Sequence, residues 1–276
     1  MSAVTASETT LPNGRQLFVH APDTGDALPL VVLIHGSHTH PRHYARYAAA
    51  VAAEGFVVVA PEEEREVFGD TAHYPQQAFI TWSLAWAEAE NAREGSPLAG
   101  RIDTGTVFVT GHSMGGGATL GIASDFDQFG LVVDEWSRPP QLAAALVHGT
   151  HNIPPPRTGD PLPVDNRVPL AFVHGTADGV VTLDQSRRTF DAVHGVLPRL
   201  FVEIEGANHF HLTDSSSPEG VNADKSAATA DQDASVAAAA RYSVLWFRAN
   251  SGDGDAMATL RKGADEPHVT VDLREA

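Results

Sequence analysis

Short apolar runs, each rich in β-branched residues, alternate along the chain with stretches of helical character. This alternation is typical of a mostly parallel sheet covered by helices, since parallel strands are buried on both faces. The predicted strands are Leu30–Ile34, Phe56–Ala60, Val107–Thr110, Leu142–Val147, Leu170–Val173 and Leu200–Ile204. The predicted helices lie near residues 43–53, 75–93, 115–124, 183–194 and 233–249. We therefore expect an α/β fold, with an antiparallel edge hairpin near Arg15–His20.

The 276 residues are enough for one large α/β domain. We expect a single domain over 1–276, with its core at about 15–250 and an extension at 250–276. Two stretches depart from the alternation: His151–Arg167 is a proline-rich connection, and 213–233 is polar, acidic and rich in small residues. The second stretch lies just after His209, a candidate active-site residue discussed below. We predict that it is a mobile loop, either a lid over that site or a surface insertion.

Charge and composition exclude several classes of protein. The chain carries 35 acidic and 18 basic residues, for a formal net charge of -17, so its field would repel nucleic acids and anionic membranes. It has no cysteine, which excludes disulfides, thiolate zinc sites and a cysteine nucleophile. No apolar stretch reaches the roughly 18 residues of a membrane span, and no signal-peptide pattern is visible. We expect a cytoplasmic protein; the sequence does not predict its oligomeric state.

A glycine-rich turn joins the third predicted strand to the helix after it. Its sequence, GHSMGGG at 111–117, contains the pattern G-x-S-x-G centred on Ser113. In this strand–turn–helix context the pattern predicts a nucleophile elbow, in which a sharp turn exposes the serine hydroxyl. The backbone N–H groups and the dipole at the start of the helix would stabilise negative charge next to Ser113.

A serine nucleophile requires a base and a group that orients the base. Asp178 and His209 follow in the expected order, each just beyond the carboxyl end of a predicted strand. We therefore predict that Ser113, Asp178 and His209 form a catalytic triad. Less favoured residues remain as alternatives: Asp160, Asp165 and Asp184 for the acid, and His211 for the base.

The first strong strand ends in His35-Gly36-Ser37-His38. In this position an HG turn supplies a second backbone N–H to an oxyanion, the first coming from the residue after the nucleophile. We predict that the amides of Ser37 and Met114 form the oxyanion hole. Removal of one such donor typically slows turnover about 10²–10³-fold.

Two patterns raise the question of a metal. His38, His40 and His43 have neither a cysteine nor a nearby carboxylate in the sequence, and polar loop residues lining a cleft explain them better than a zinc site. Asp125-Phe126-Asp127 lacks the third acid, the glycine and the closing glutamate of a calcium loop. We therefore expect no metal and no cofactor.

The motifs IHGSH at 34–38, GHSMGGG at 111–117, HGTADGVV at 174–181 and GANHF at 206–210 resemble those of the α/β-hydrolase superfamily. Over residues 15–250 the chain looks most like the dienelactone hydrolase, platelet-activating-factor acetylhydrolase and cutinase-like polyesterase group. The resemblance implies an α/β-hydrolase fold with helices on both faces of the sheet. It also implies the same triad and oxyanion donors.

The chain departs from the secreted polyesterases of this group at three points. It lacks their C-terminal disulfide, and Ser37 and Thr150-His151 stand where these enzymes place aromatic residues. These departures favour a small or medium ester over a polymer. We expect a serine carboxylesterase acting on a small-molecule ester. An acyltransferase, perhydrolase or amidase with the same triad, and a ligand-binding member without catalysis, remain as alternatives.

Overall fold

A computed structural model describes residues 2–67, 69–128 and 130–276, so Met1, Phe68 and Phe129 of the expected domain lie outside the described residues. Its strands are β1 Val4–Thr10, β2 Gln16–Pro22, β3 Leu28–Ile34, β4 Val57–Pro61, β5 Glu64–Val67, β6 Asp70–His73, β7 Ile102–His112, β8 Leu142–His148, β9 Val164–Asn166, β10 Leu170–Gly175, β11 Val193–Gly195, β12 Arg199–Ile204 and β13 Val269–Arg274. Its helices are α1 Ala45–Ala52, α2 Phe79–Ala92, α3 Met114–Ser124, α4 Leu183–Asp191, α5 Gln232–Ala249 and α6 Gly254–Lys262. A 3₁₀ turn, Pro41–Tyr44, leads into α1.

In the described residues, nine of these strands form one sheet in the order β1-β2-β4-β3-β7-β8-β10-β12-β13. The six strands from β4 to β12 pair in parallel, whereas β1 and β2 at one edge and β13 at the other pair antiparallel. The mostly parallel sheet predicted from the sequence is therefore confirmed. Because the central strands run in the same direction, their carboxyl ends meet at one edge of the sheet.

Helices cover both faces of the sheet, as expected. Successive side chains of a strand point to opposite faces, so Val32 of β3 packs against one layer and Val31 against the other. The first layer is built from α2, α3 and α4, and Phe79 and Phe190 are fully buried in it. The second is built from α1, α5 and α6, where Trp246 is fully buried. These two apolar layers hold the strand ends in fixed relative positions.

Several elements were not predicted from the sequence. They are β13 at one sheet edge, the β5–β6 hairpin, the short β9–β11 pair and α6. The edge hairpin expected near Arg15–His20 is the antiparallel β1–β2 pair, whose first strand lies outside the expected range. Strand β1 has an exposed, polar sequence, VTASETT, so it lacks the apolar run by which the other strands were found. No helix among the described residues is long and apolar enough to cross a membrane.

Candidate active site

Ser113 lies at the point where β7 ends and α3 begins. Its backbone has φ 54° and ψ -118°, a left-handed conformation that a residue with a side chain rarely adopts. Close packing explains the flanking glycines. A Cβ on Gly111 would lie 2.2 Å from the carbonyl oxygen of Gly115, and a Cβ on Gly115 would lie 2.3 Å from that of Ile34. The turn predicted as a nucleophile elbow thus has the strained backbone that such an elbow requires.

Asp178 and His209 come together after β10 and β12. His209 Nδ1 donates a hydrogen bond to Asp178 Oδ2 at 2.8 Å, and both side chains are buried. Asp178 Oδ1 accepts from the backbone N–H groups of Val180 and Val181 at 2.9 and 2.8 Å. The carboxylate is therefore fixed at both oxygens, and the proton on His209 lies on Nδ1, which leaves Nε2 as an acceptor.

Charge keeps the Asp178 carboxylate ionised despite its burial. Burial alone would raise the pKa of Asp178, but the hydrogen bond from His209 and the charges of His209 and His174 lower it, and the net pKa is below the usual value. His174 is close to the same carboxylate oxygen as His209. Its Nε2 lies 3.6 Å from Asp178 Oδ2 and donates to Val181 O at 3.0 Å. An ionised carboxylate in this position would stabilise a positive charge on the His209 ring.

Ser113 and His209 line the same cavity, which has a volume of about 270 Å³. A second cavity of about 520 Å³ adjoins it, and Ser37 and Ser113 line both. Among the hydrogen bonds of the described residues, none involves Ser113 Oγ. In enzymes without substrate, the hydrogen bond between a catalytic hydroxyl and its base is often long, and it shortens in the substrate complex. The structure thus brings the predicted nucleophile and base to one cleft.

The alternative acids and base lie elsewhere. Asp160 is an exposed partner of Arg188, and Asp165 is a partner of Arg167. Asp184 is in the first turn of α4. His211 is fully buried, and its Nε2 contacts His148 Nδ1 at 3.1 Å instead of facing the serine. Burial lowers the pKa of His211 to about 3, so the ring is neutral at physiological pH.

The two predicted oxyanion donors lie at either side of Ser113. Ser37 follows the HG turn after β3, and Met114 is the first residue of α3. Among the described residues, neither amide donates to a backbone carbonyl or a side chain, so both N–H groups are free to bind a ligand. Gly36 permits this approach, because a Cβ there would lie 3.4 Å from the Cβ of Ser113 and 3.0 Å from His112 Nδ1.

A buried hydrogen-bond chain links the Gly36 turn to the backbone of His209, and sequence reasoning missed it. Gly36 N–H donates to the hydroxyl of Tyr44 at 2.9 Å, and that hydroxyl contacts His112 Nδ1 at 2.9 Å. His112 Nε2 then donates to the backbone oxygen of His209 at 2.9 Å. Burial lowers the pKa of His112 well below its usual value, so the ring is neutral and accepts the Tyr44 proton. The chain holds the oxyanion side and the base side of the cleft in register.

A second residue missed by sequence reasoning is Asp224, in the polar segment 213–233. Its carboxylate accepts from the backbone N–H of Gly179 at 3.0 Å and from that of His209 at 2.8 Å. It also accepts from Ser226 N–H at 2.8 Å. One side chain thus fixes the loop that follows Asp178 and the loop that carries His209. The 213–233 segment packs against the site and, through Val221, forms part of the wall of the 270 Å³ cavity.

Comparisons with known proteins give two similarities. The sequence model of the family described as PETase, PET hydrolase-like, matches residues 12–134, a segment that includes Ser37 and Ser113. The Bacillus subtilis (strain 168) protein named "Putative esterase YitV" is 26% identical over 195 residues, which cover 60% of this chain and 75% of that protein. Both similarities are to ester hydrolases.

Proposed function

We propose that this chain, whose fold and similarities are those of α/β-hydrolase esterases, cleaves esters through an acyl-enzyme formed on Ser113. The observation that carries this proposal is the Asp178–His209 pair, bonded at 2.8 Å, which opens on the same cavity as Ser113. A hydroxyl, an imidazole and a carboxylate from three strand ends are the groups that nucleophilic catalysis by serine requires.

In the proposed mechanism, His209 Nε2 takes the proton of Ser113 Oγ as the oxygen attacks the ester carbonyl. Asp178 holds the imidazole in the required tautomer and stabilises the imidazolium. The oxyanion accepts hydrogen bonds from the free amides of Ser37 and Met114. His209 then protonates the leaving alcohol, and a water molecule, activated by the same imidazole, releases the acid and restores Ser113.

The dimensions and lining of the cleft support a small or medium ester as the substrate. The cavity of about 520 Å³ is within the range of small-molecule sites, and the adjoining one of about 270 Å³ lies just below that range. The larger one is lined by aliphatic side chains, Leu131, Ile153 and Val181 among them, together with the polar Asn152. Such a lining suits a short acyl or alkyl group with a polar end.

The test is hydrolysis of p-nitrophenyl acetate and butyrate by the wild type and by Ser113→Ala. We expect the variant to lose more than 10³-fold of turnover with an unchanged melting temperature, since the residual rate would come from the oxyanion hole and binding alone. Ser251→Ala is the matched control, because Ser251 is exposed at the end of α5, where its hydroxyl donates to Phe247 O.

A fluorophosphonate probe gives a second readout that does not depend on the choice of ester. We expect stoichiometric labelling of the wild type and of Ser251→Ala, and none of Ser113→Ala. If the folded wild type is not labelled, the proposal is wrong and a ligand-binding protein without catalysis takes its place. Turnover of amides, or transfer to hydrogen peroxide at a rate above hydrolysis, would support the other acyl-transfer chemistries.

A further inference from the structure

A second cluster of titratable side chains lies near the loop that follows β3. It consists of His40, Glu62 and His73, which come from three separate segments: the 3₁₀ turn before α1, the residue after β4 and the end of β6. One ligand atom of each lies within 4.8 Å of those of the other two. All three side chains are half-buried. The sequence argument against a metal, the lack of a nearby carboxylate, therefore does not hold in the folded chain.

The contact between Glu62 and His73 is the most informative feature of this cluster. His73 Nδ1 lies 3.1 Å from Glu62 Oε1, yet this nitrogen is buried and makes no hydrogen bond among the described residues. Two ligand atoms at this distance have the separation of neighbouring ligands on one ion. With metal–ligand bonds of about 2.0–2.2 Å, ligand atoms at cis or tetrahedral angles are about 3.0–3.5 Å apart.

His40 lies beside His73 in this cluster. Its ring packs edge-on against that of His73, with the centroids 4.8 Å apart. The two imidazoles of the cluster are therefore neighbours in the folded chain.

A third imidazole, that of His35, borders the cluster. It is fully buried, and its ring centroid lies 6.3 Å from that of His73. Its Nδ1 donates to Gly36 O at 2.8 Å, so Nε2 carries a lone pair, and this atom has no hydrogen-bond partner among the described residues. An unused buried acceptor of this kind suits a water molecule that completes the coordination of an ion.

We propose that His40, Glu62 and His73 form a binding site for a divalent transition metal ion, and that this ion is Zn²⁺. Two imidazoles and one carboxylate form the open three-ligand set that zinc accepts, with a water in the fourth position. Mg²⁺ and Ca²⁺ prefer sets made of oxygen alone, so the donor types select against them. The site is distinct from the triad, because none of its three ligands is Ser113, Asp178 or His209.

Binding carries one local cost. His40 Nδ1 accepts the backbone N–H of Arg42 at 3.0 Å. Ligation through Nε2 would move the proton to Nδ1 and give up this hydrogen bond. The ion would in return fix His73, whose backbone oxygen accepts from His38 N–H at 2.7 Å, next to Ser37. We therefore expect a site of moderate affinity that steadies the loop carrying one proposed oxyanion donor.

The experiment is calorimetric titration of the chelator-treated protein with Zn²⁺. We expect one ion per chain, and at least tenfold weaker binding for His73→Ala and for Glu62→Gln, the second of which keeps the size of the side chain. His43→Ala is the matched control, because His43 is a half-buried histidine of the same loop outside the cluster. Its affinity should equal that of the wild type.

Two further measurements make the test decisive if a variant folds poorly. Zn²⁺ should raise the melting temperature of the wild type but not that of Glu62→Gln, and Co²⁺ should give the visible absorption of a four-coordinate ion. Millimolar Mg²⁺ or Ca²⁺ should not displace Zn²⁺. The proposal is overturned if Zn²⁺ does not bind stoichiometrically, if His43→Ala loses as much affinity for Zn²⁺ as His73→Ala, or if Ca²⁺ displaces Zn²⁺. None of these outcomes bears on the proposed role of Ser113.

Discussion

Replacement of Asp224 by alanine tests whether the 213–233 segment holds the site together. The carboxylate accepts the backbone N–H groups of Gly179 and His209, at 3.0 and 2.8 Å. Hydrogen bonds to a charged group contribute about 1.5–3 kcal/mol each. Because Asp224 is half-buried, water replaces part of the loss, and we expect a decrease of about 2–3 kcal/mol in the free energy of unfolding.

The effect on catalysis should be larger than the effect on binding. His209 loses the acceptor that fixes its backbone, and a displacement of about 1 Å in a reacting group costs about 10²-fold in rate. We expect kcat for p-nitrophenyl butyrate to fall about 10–100-fold in Asp224→Ala, with KM changed less than threefold. Asp224→Asn keeps one carbonyl oxygen, so it should retain more activity than alanine does.

Asp214→Ala is the matched control for this prediction. Asp214 belongs to the same segment, but its Oδ1 accepts the backbone N–H of Arg46 at 3.0 Å and contacts neither catalytic loop. It should lose stability and keep its kcat. If Asp224→Ala retains kcat within twofold of the wild type, or if Asp214→Ala loses as much, the carboxylate does not position the base.

Two other predictions concern the buried polar groups. Burial lowers the pKa values of His35 and His211 to about 3, whereas an unfolded histidine titrates near about 6.5. Between these two pKa values only the unfolded chain binds the protons. The free energy of unfolding is therefore at its full value above about pH 6.5 and decreases as the pH falls. At pH 5 each ring should lower it by about 2 kcal/mol, which urea unfolding at a series of pH values would measure. Tyr44→Phe removes the acceptor of the Gly36 N–H and should lower kcat about tenfold, less than the loss of an oxyanion donor. The control is Tyr47→Phe, which removes an equally buried hydroxyl that donates to a serine of α5; it should lower stability and leave kcat unchanged.

Each of these has a clear contrary outcome. Replacing the exposed His194 by glutamine should leave the pH dependence of stability unchanged, whereas His211→Gln should reduce its slope at pH 5 by about 1.4 kcal/mol per pH unit. Equal slopes in the two variants would show that His211 takes up a proton while folded. Equal kcat values for Tyr44→Phe and the wild type would show that the Gly36 turn holds its position without the hydroxyl.

The central strands could be predicted because burial on both faces makes their sequences continuously apolar. The fold class is confirmed, and the strands carrying Ser113, Asp178 and His209 lie where the sequence indicated. Their catalytic roles stay predictions. The edges of the sheet could not be found in this way: β1 is polar and exposed, so it forms through pairing with β2 and not through a local apolar signal.

The supporting residues of the site could not be predicted for a related reason. Asp224 acts through its carboxylate on two backbone N–H groups, and no pattern of neighbouring residues marks such an acceptor in an acidic, polar segment. Glu62 and His73 come together with His40 only after the β5–β6 hairpin folds back against the 3₁₀ turn. Spacing along the chain reveals elements that contact their neighbours, whereas these contacts depend on the tertiary fold.

The backbone of Ser113 has a consequence for any attempt to engineer this protein. A side chain at φ 54° costs about 1–3 kcal/mol that glycine would not incur, so we expect Ser113→Gly to be more stable than the wild type. Directed evolution that scores only survival on heating would therefore reward loss of the serine. Thermal stability and the proposed activity place opposite demands on residue 113. A library of variants therefore has to be screened for turnover as well as for stability.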